Sequence, residues 1–341
     1  MTAIQHTSDD NMSQFIPRRD PDEPNTALIL HLQRLSTEDG PGIRTTIFFK
    51  GCPLSCLWCH NPESIATYTQ VHWIETRCIG CSICLEVCPN GALDRSPQGM
   101  IRVDREKCQG CGVCTENCPS TALEMLGEQV TLEDLVVELL KDRAYFEASG
   151  GGVTASGGEP TLQAGFVSRL FARLQAEGIH TALDTCGACS PRALEAILPH
   201  TDLVLYDLKL MDSEAHRRYT GLGNEVILTN LTHITNRIRS ENLKTRLWIR
   251  TPLIPDITTN EENLAAIAHY LDQNLNELVD RWELCAFNNL CRDKYRRLDI
   301  PWYFEATPLM PQSALDCCEK AAKDSAFDPE RVFVTGAASS T

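Results

Sequence analysis

Arg44-Thr45-Thr46-Ile47-Phe48-Phe49 runs through Lys50-Gly51 into Cys52-Pro53-Leu54-Ser55-Cys56-Leu57-Trp58-Cys59. The first six residues are rich in β-branched and aromatic side chains, the composition of a buried strand. The cysteines behind them are spaced C-x3-C-x2-C. Three thiolates would leave one iron of a four-iron cube with an open coordination position, as catalytic metal sites generally have. The alternative is a third ordinary cluster that borrows a cysteine from elsewhere. Strands that deliver ligands at their carboxyl ends are a habit of β/α proteins, and the rest of the chain repeats the pattern. Strand patterns at Gly152–Ser156, His180–Asp184, Leu203–Asp207, Thr245–Arg250 and Trp282–Cys285 alternate with helix patterns. The helices are expected at Leu132–Glu147, Leu162–Glu177, Pro191–Leu198, Ser213–Tyr219, Asn224–Ser240, Glu261–Leu275 and Ala314–Asp324. Thr131 and Thr161 read as N-caps. Six strands with intervening helices predict an α/β fold with a parallel sheet.

Composition bounds the function. The chain has 341 residues, 43% hydrophobic and 23% charged, which is a soluble globular balance. A net charge of −15 argues against phosphate-backbone binding, so no nucleic acid is expected. No apolar run approaches a membrane span, and the N-terminus lacks a signal-peptide layout; the expected compartment is the cytoplasm. Residues 1–26 are polar and read as a flexible tail. The 17 cysteines allow a disulfide scaffold or metal ligation, and their odd number and the chain length favour metal.

Eight of them form a duplication. Cys78, Cys81, Cys84 and Cys88 are spaced C-x2-C-x2-C-x3-C-P, and Cys108, Cys111, Cys114 and Cys118 repeat this 30 residues later. Gly80 maps to Gly110, Pro89 to Pro119, and Ala92-Leu93 to Ala122-Leu123. The spacing is that of bacterial two-cluster ferredoxins, in which the fourth cysteine of each run serves the other cluster. Cys78, Cys81, Cys84 and Cys118 are therefore expected to hold one [4Fe–4S] cube, and Cys108, Cys111, Cys114 and Cys88 a second. Structural zinc usually pairs two C-x2-C units across a longer gap. Such clusters serve either as an electron relay or for stability and docking, and spacing leaves both open.

Further motifs sit at successive strand ends. Ser156-Gly157-Gly158-Glu159-Pro160 follows the second strand, Asp184-Thr185-Cys186-Gly187 the third, Asp207-Leu208-Lys209 the fourth, and Arg250-Thr251-Pro252 the fifth. With Cys52, Cys56 and Cys59 they resemble the radical S-adenosylmethionine (SAM) superfamily. That resemblance implies that SAM chelates the open iron and is cleaved reductively to methionine and a 5′-deoxyadenosyl radical. It implies that Gly157, Gly158 and Glu159 bind the methionine amino group. Asp184, Asp207, Lys209 and Arg250 would belong to the same site. It also implies a monovalent cation held by Asp184, Thr185, the Leu205 carbonyl and Asp207; the alternative is that the two aspartates pair with Lys209 or Arg250. Trp58 would contact adenine or simply pack.

Asp39-Gly40-Pro41-Gly42-Ile43-Arg44, His60-Asn61-Pro62, Tyr206-Asp207-Leu208-Lys209, Thr220-Gly221 with Asn224, and Trp282-Glu283-Leu284 narrow the likeness. From about Leu30 to Trp302 the chain resembles the glycyl radical enzyme activating enzymes, in the larger subgroup with a two-cluster insert. The implied fold is a partial, open (β/α)6 TIM-like barrel formed by residues 27–66 and 128–302. A ferredoxin-type domain would be inserted at 67–127, with a C-terminal extension at 303–341. The implied substrate is a protein, a glycyl radical enzyme that loses one hydrogen from a glycine α-carbon, and the implied electron donor is reduced ferredoxin or flavodoxin. Asp39 would contact the incoming glycine loop, or serve only as a turn residue. Asn288 stands where related activators carry a histidine near adenine, so its role is open. His60 would touch the cluster region or make an ordinary hydrogen bond. A radical SAM enzyme acting on a small molecule and a ferredoxin-like carrier are the competing readings.

Overall fold

The computed structural model describes residues 25–275 and 277–339. Its strands are β1 (Thr26–Ser36), β2 (Arg44–Phe49), β3 (Gln70–Trp73), β4 (Leu93–Arg95), β5 (Ile101–Val103), β6 (Leu123–Leu126), β7 (Glu128–Thr131), β8 (Gly152–Gly157), β9 (His180–Thr185), β10 (Leu203–Asp207), β11 (Arg246–Leu253), β12 (Val279–Ala286) and β13 (Val332–Thr335). Nine of these form one sheet in the order β13-β12-β11-β10-β9-β8-β2-β1-β7. From β2 through β8 to β13 every neighbour is parallel, and every crossover steps the same way. β13 and β7 end the row without meeting, so the sheet stays open.

Alternation along the strands sorts the two faces. Ile47, Phe49, Val153, Ala155, Leu183, Val204, Tyr206, Ile249, Trp282 and Leu284 join one core with the helices. The helix Ala164–Ala176 supplies Phe166, Val167, Leu170, Phe171 and Leu174 to that core, an apolar stripe at helical spacing. The intervening strand residues Thr46, Thr154, Ser156, Asp184, Asp207, Arg250 and Glu283 fall on the opposite face. Ala182, Leu203, Leu205 and Trp248 form a separate apolar floor.

The structure departs from the sequence expectation in several places. The parallel set has seven strands, not six, because Val332–Thr335 of the C-terminal segment pairs with β12. The stretch Thr26–Ser36 is a strand antiparallel to β2, and β7 pairs on its other side. The expected tail falls mostly outside the described residues, but Asn25 already accepts from the Leu132 amide at 2.9 Å. The helix expected over Leu132–Glu147 is two, Leu132–Leu140 and Arg143–Ser149. Asp142 between them is buried, and its carboxylate accepts from Thr45 Oγ1 at 2.7 Å and from Arg34. Thr131 caps its helix by accepting from the Asp134 amide. Thr161 does not cap; a 3-10 turn at Pro160–Gln163 precedes the helix, and the Thr161 hydroxyl donates to Glu159 instead.

The duplicated segment makes two small sheets, β3 with β6 and β4 with β5, around a core of its own: Val71, Cys84, Leu93, Ile101, Cys114 and Leu123. The repeat extends to the backbone. Gly80 and Gly110, Ser82 and Gly112, and Gly91 and Thr121 all have positive φ at offsets of 30 residues. So small a core needs a staple such as a metal group.

Candidate active site

The loop carrying Cys52, Cys56 and Cys59 is held on three sides. On the first, Gly51 and Cys52 donate to the Ser64 and Ile65 carbonyls at 2.6 and 3.0 Å, while the Glu159 amide donates to the Gly51 carbonyl at 2.7 Å. Here Gly158 has to be glycine, because a Cβ would lie 2.2 Å from the Gly51 carbonyl oxygen. A Cβ on Gly157, at φ +104°, would lie 2.5 Å from the Phe49 nitrogen and 2.7 Å from the Phe48 backbone. On the second side the amides of Ser55 and Leu57 donate to the Thr220 and Tyr219 carbonyls at 2.8 and 3.0 Å. A Cβ on Gly221 would fall 2.6 Å from Ser55 Oγ. This gives the Thr220-Gly221 motif a physical role.

The third side is one that sequence reading missed. Tyr295 donates from its hydroxyl to the Cys59 carbonyl at 2.9 Å, and Trp302 Nε1 to the Leu57 carbonyl at 3.1 Å. Lys294 reaches Asn61 Oδ1 and Glu63 Oε1, both at 2.7 Å. His60 Nε2 meets the Asn288 carbonyl at 2.8 Å, and the Asn288 side chain faces the other ring nitrogen. His60 and Asn288 are thus brought together, 228 residues apart. Trp58 is buried within the main core.

Around the thiols the strand-end motifs converge. Burial pushes the Cys56 thiol up to about 12 against the pull of Lys209, and metal ligation by the thiolate would release that proton. Lys209 itself is buried and pairs with Asp207. Burial alone would lower its pKa, but Asp207 beside it outweighs burial and raises it. Asp184 accepts from Ser156 Oγ at 2.5 Å and lies 3.6 Å from Arg250 Nη1. Burial pushes its carboxyl up to about 7 despite Arg250. Arg250 also lies 3.4 Å from Glu283 and donates to the Glu38 carbonyl at 3.3 Å. The aspartates therefore meet Arg250 and Lys209, the pairing that stood as the alternative to a cation.

Glu159 is fully buried and its carboxylate is already satisfied by the protein. Oε1 accepts from the Thr161 amide and hydroxyl at 3.1 and 2.7 Å and from Thr185 Oγ1 at 2.8 Å; Oε2 accepts from the Cys186 amide at 2.8 Å. Asp39 is similarly engaged, accepting from Ser36 Oγ at 2.6 Å and Thr46 Oγ1 at 2.7 Å, with its carbonyl taking Thr154 Oγ1.

In the insert, Cys88 lines one cavity together with Cys108, Cys111 and Cys114. Cys84 is in turn close enough to Cys78, Cys81 and Cys118 for their charges to raise its pKa, behind the larger effect of burial. The amides of Ala92 and Ala122 point at the Cys88 and Cys118 sulfurs at 3.3 and 3.2 Å. Such N–H···S bonds favour ligating sulfur and tune iron–sulfur groups. The donor sets therefore fit the crossed arrangement.

The pattern of the 4Fe-4S dicluster domain matches residues 77–122, and that of the radical SAM superfamily matches residues 105–268. The second match begins inside the insert and leaves out Cys52–Cys59, which the insert separates from the remaining strands. The chain is 42% identical to the trans-4-hydroxy-L-proline dehydratase activating enzyme of Clostridioides difficile, over 80% of this chain and 87% of that one. It is 38% identical to the (2S)-3-sulfopropanediol dehydratase activating enzyme of Klebsiella oxytoca, over 81% and 86%. The chain belongs to the radical SAM glycyl radical enzyme activating enzymes. It is 36% identical to another activating enzyme, that for choline trimethylamine-lyase from Oleidesulfovibrio alaskensis, over 86% of this chain and 94% of that one. The activase is thus an enzyme that generates glycyl radicals. Among its described residues no helix is long and apolar enough to cross a membrane.

Proposed function

We propose that this activase holds three [4Fe–4S] clusters and works on a partner glycyl radical enzyme in the cytoplasm, fed by reduced ferredoxin or flavodoxin. The observation that carries the reading is the three-sided clamp on the loop of Cys52, Cys56 and Cys59, which fixes three thiols beside a polar pocket of strand-end charges. When bound, the open-iron cluster and SAM supply a 5′-deoxyadenosyl radical able to take a hydrogen from a glycine α-carbon. The chain's own residues bind, orient and exclude water.

Lys209, charged and adjacent to Cys56, would meet the SAM carboxylate, with Asp207 fixing its direction. Arg250 and Asp184 would line the same pocket, and a monovalent cation would enter only by displacing their mutual contact. The Gly157-Gly158 backbone would receive the methionine amino group. Glu159 would position that backbone by tying it to Thr185 and Cys186. Trp58 would support the loop from the core, and Asn288 would act through His60. Asp39 would sit below the incoming glycine loop, its carboxylate aligned by Ser36 and Thr46. Cys78, Cys81, Cys84 and Cys118 would hold one insert cluster, and Cys108, Cys111, Cys114 and Cys88 the other.

Mixing the reduced activase, SAM and a candidate glycyl radical enzyme should give a glycine-centred doublet by electron paramagnetic resonance, with 5′-deoxyadenosine formed alongside. Turnover of a small molecule without a doublet on any partner would reject the reading. Iron should approach about twelve atoms per chain, from three cubes of four.

A further inference from the structure

Cys186 follows β9 directly and is buried, at 7% exposure. No motif gives its thiol a task, yet the fold builds a rigid seat for it. Its amide donates to Glu159 Oε2 at 2.8 Å, and the next amide, of Gly187, donates to Thr185 Oγ1 at 3.0 Å. A Cβ on Gly187 would lie 1.8 Å from Tyr206 Oη, so the turn passes directly against that ring. Asn230, fully buried, closes the turn by donating to the Gly187 and Cys189 carbonyls, both at 2.8 Å.

This seat is joined to the open-iron loop. Glu159 bonds the Cys186 amide through its carboxylate and the Gly51 carbonyl through its own amide, at 2.7 Å. One residue thus ties the backbone of Cys186 to that beside Cys52. The side chains then meet: the Cys186 thiol and the Cys52 sulfur are hydrogen-bond partners. Lys209 and Glu159 bring their charges close to both sulfurs. Ligating sulfurs on separate irons of one cube do not touch, so a thiol in contact with Cys52 donates to it and leaves the fourth iron open.

Cys52 is thereby set apart from the other two loop thiols. The Cys59 sulfur receives the Asn61 amide and the Cys56 sulfur its own amide. At Cys52 the Leu54 amide and a side-chain donor converge. Cys189, three residues beyond Cys186, turns elsewhere. Its sulfur meets Thr161 and lies 3.7 Å from Asn230 Nδ2.

We infer that Cys186 is a positioning residue for electron entry: its S–H donates to the Cys52 sulfur, and this bond makes the open-iron cluster easier to reduce. The inference rests on the reading of Cys52 as a ligand of that cluster. Reduction adds one electron to a buried group that already has the Glu159 carboxylate beside it. A donor aimed at a ligating sulfur binds more strongly as negative charge grows there, so it stabilises the reduced state more than the oxidised one. The thiol keeps its proton throughout. The reductant loses one electron, the cluster gains it, and no covalent bond changes.

The test is a potentiometric titration of the full-length, cluster-loaded activase with dithionite, without SAM, read by electron paramagnetic resonance. The open-iron signal is the one missing from the Cys52, Cys56, Cys59 triple-Ala variant. At the wild-type midpoint, Cys186→Ala should lower the reduced-to-oxidised ratio of that signal about fivefold, or about 1 kcal/mol for one lost hydrogen bond. Iron should stay near about twelve atoms per chain. Cys186→Ser keeps a donor and should stay within about twofold of the wild type, and Cys189→Ala should match the wild type. An unshifted, iron-loaded Cys186→Ala would overturn the inference. A fall of about fivefold in Cys186→Ser, whether or not Cys186→Ala loads iron, would overturn it too, because it would mark packing alone. A triple-Ala variant that keeps every signal and all its iron would instead remove Cys52 as a ligand, and the inference with it.

Discussion

Replacing Glu159 by Gln separates two roles for the GGE motif. The carboxylate accepts four hydrogen bonds, from the Thr161 amide and hydroxyl, Thr185 Oγ1 and the Cys186 amide, and no part of the residue is exposed. An amide side chain keeps one oxygen. If that oxygen takes the Oε1 position, the new NH2 group faces the Cys186 N–H, and two buried donors oppose each other. Leaving one such backbone donor unsatisfied costs about 1–3 kcal/mol, and loss of charge assistance weakens the other three bonds. The expected destabilisation is therefore about 3 kcal/mol, a fall of several degrees in apparent unfolding temperature. Because the Glu159 carboxylate also ties the GGE turn to Thr185 and Cys186 of the next strand end, SAM cleavage should fall roughly 100-fold, the scale of an ångström-sized misplacement. The assays are thermal unfolding of the cluster-loaded protein, SAM affinity by titration, and 5′-deoxyadenosine formation. Unchanged unfolding with SAM affinity alone weakened would show that Glu159 meets the ligand directly, and would refute the positioning argument.

Gly221→Ala should lower both the unfolding temperature and the iron retained at Cys52, Cys56 and Cys59, because its Cβ would press on Ser55 in a backbone conformation that disfavours a side chain; Gly178→Ala, also at positive φ but facing open space, should keep its iron. Tyr295→Phe should cost about 1 kcal/mol and alter the electron paramagnetic resonance signal of the open-iron cluster, while iron content stays full. Arg44 is completely buried and donates to Thr154 Oγ1, the Val153 carbonyl and the Pro41 carbonyl; Arg44→Met should destabilise by about 3 kcal/mol, read by chemical denaturation, with the thiol sets still able to bind iron. A Cys52, Cys56, Cys59 triple-Ala variant should drop iron from about twelve to about eight atoms and abolish SAM cleavage.

The parts of this fold that were legible in the sequence are those with local causes. β2 and β10 match their expected bounds because alternation and composition act within each strand. The repeated loop geometry of the insert was legible because a 30-residue duplication writes the same loop twice. The break at Asp142 was not, because what breaks the helix is an acceptor for Thr45 and Arg34, 97 and 108 residues away. β13 is four residues long, too short to announce itself, and it exists only as a partner for β12. The strand-end motifs come together in the fold, yet what each side chain touches depended on geometry. The motifs assign the Glu159 carboxylate to a ligand and Asp39 to a partner loop or a turn, whereas neighbouring hydroxyls and amides already occupy both carboxylates. Tyr295, Trp302 and Lys294 carry no motif of their own, and only the folded chain brings them to the loop.

The clamp also sets a timetable for biosynthesis. The loop of Cys52, Cys56 and Cys59 is made early, but two of the three sides that hold it come from Thr220, Tyr295 and finally Trp302, which lies 245 residues beyond Leu57. While the ribosome is still producing the second half of the chain, those three thiols have only the first side of the clamp, from Ser64, Ile65 and Glu159. Contacts of such long range form late in folding. The insert, with its own core and local thiol sets, needs no residue beyond Leu126 for its sheet pairing. Iron delivery to this chain should therefore occur in two stages. The ferredoxin-type pair can be loaded on a nascent chain, and the open-iron site only after release, so a truncation before Tyr295 should retain the first without the second.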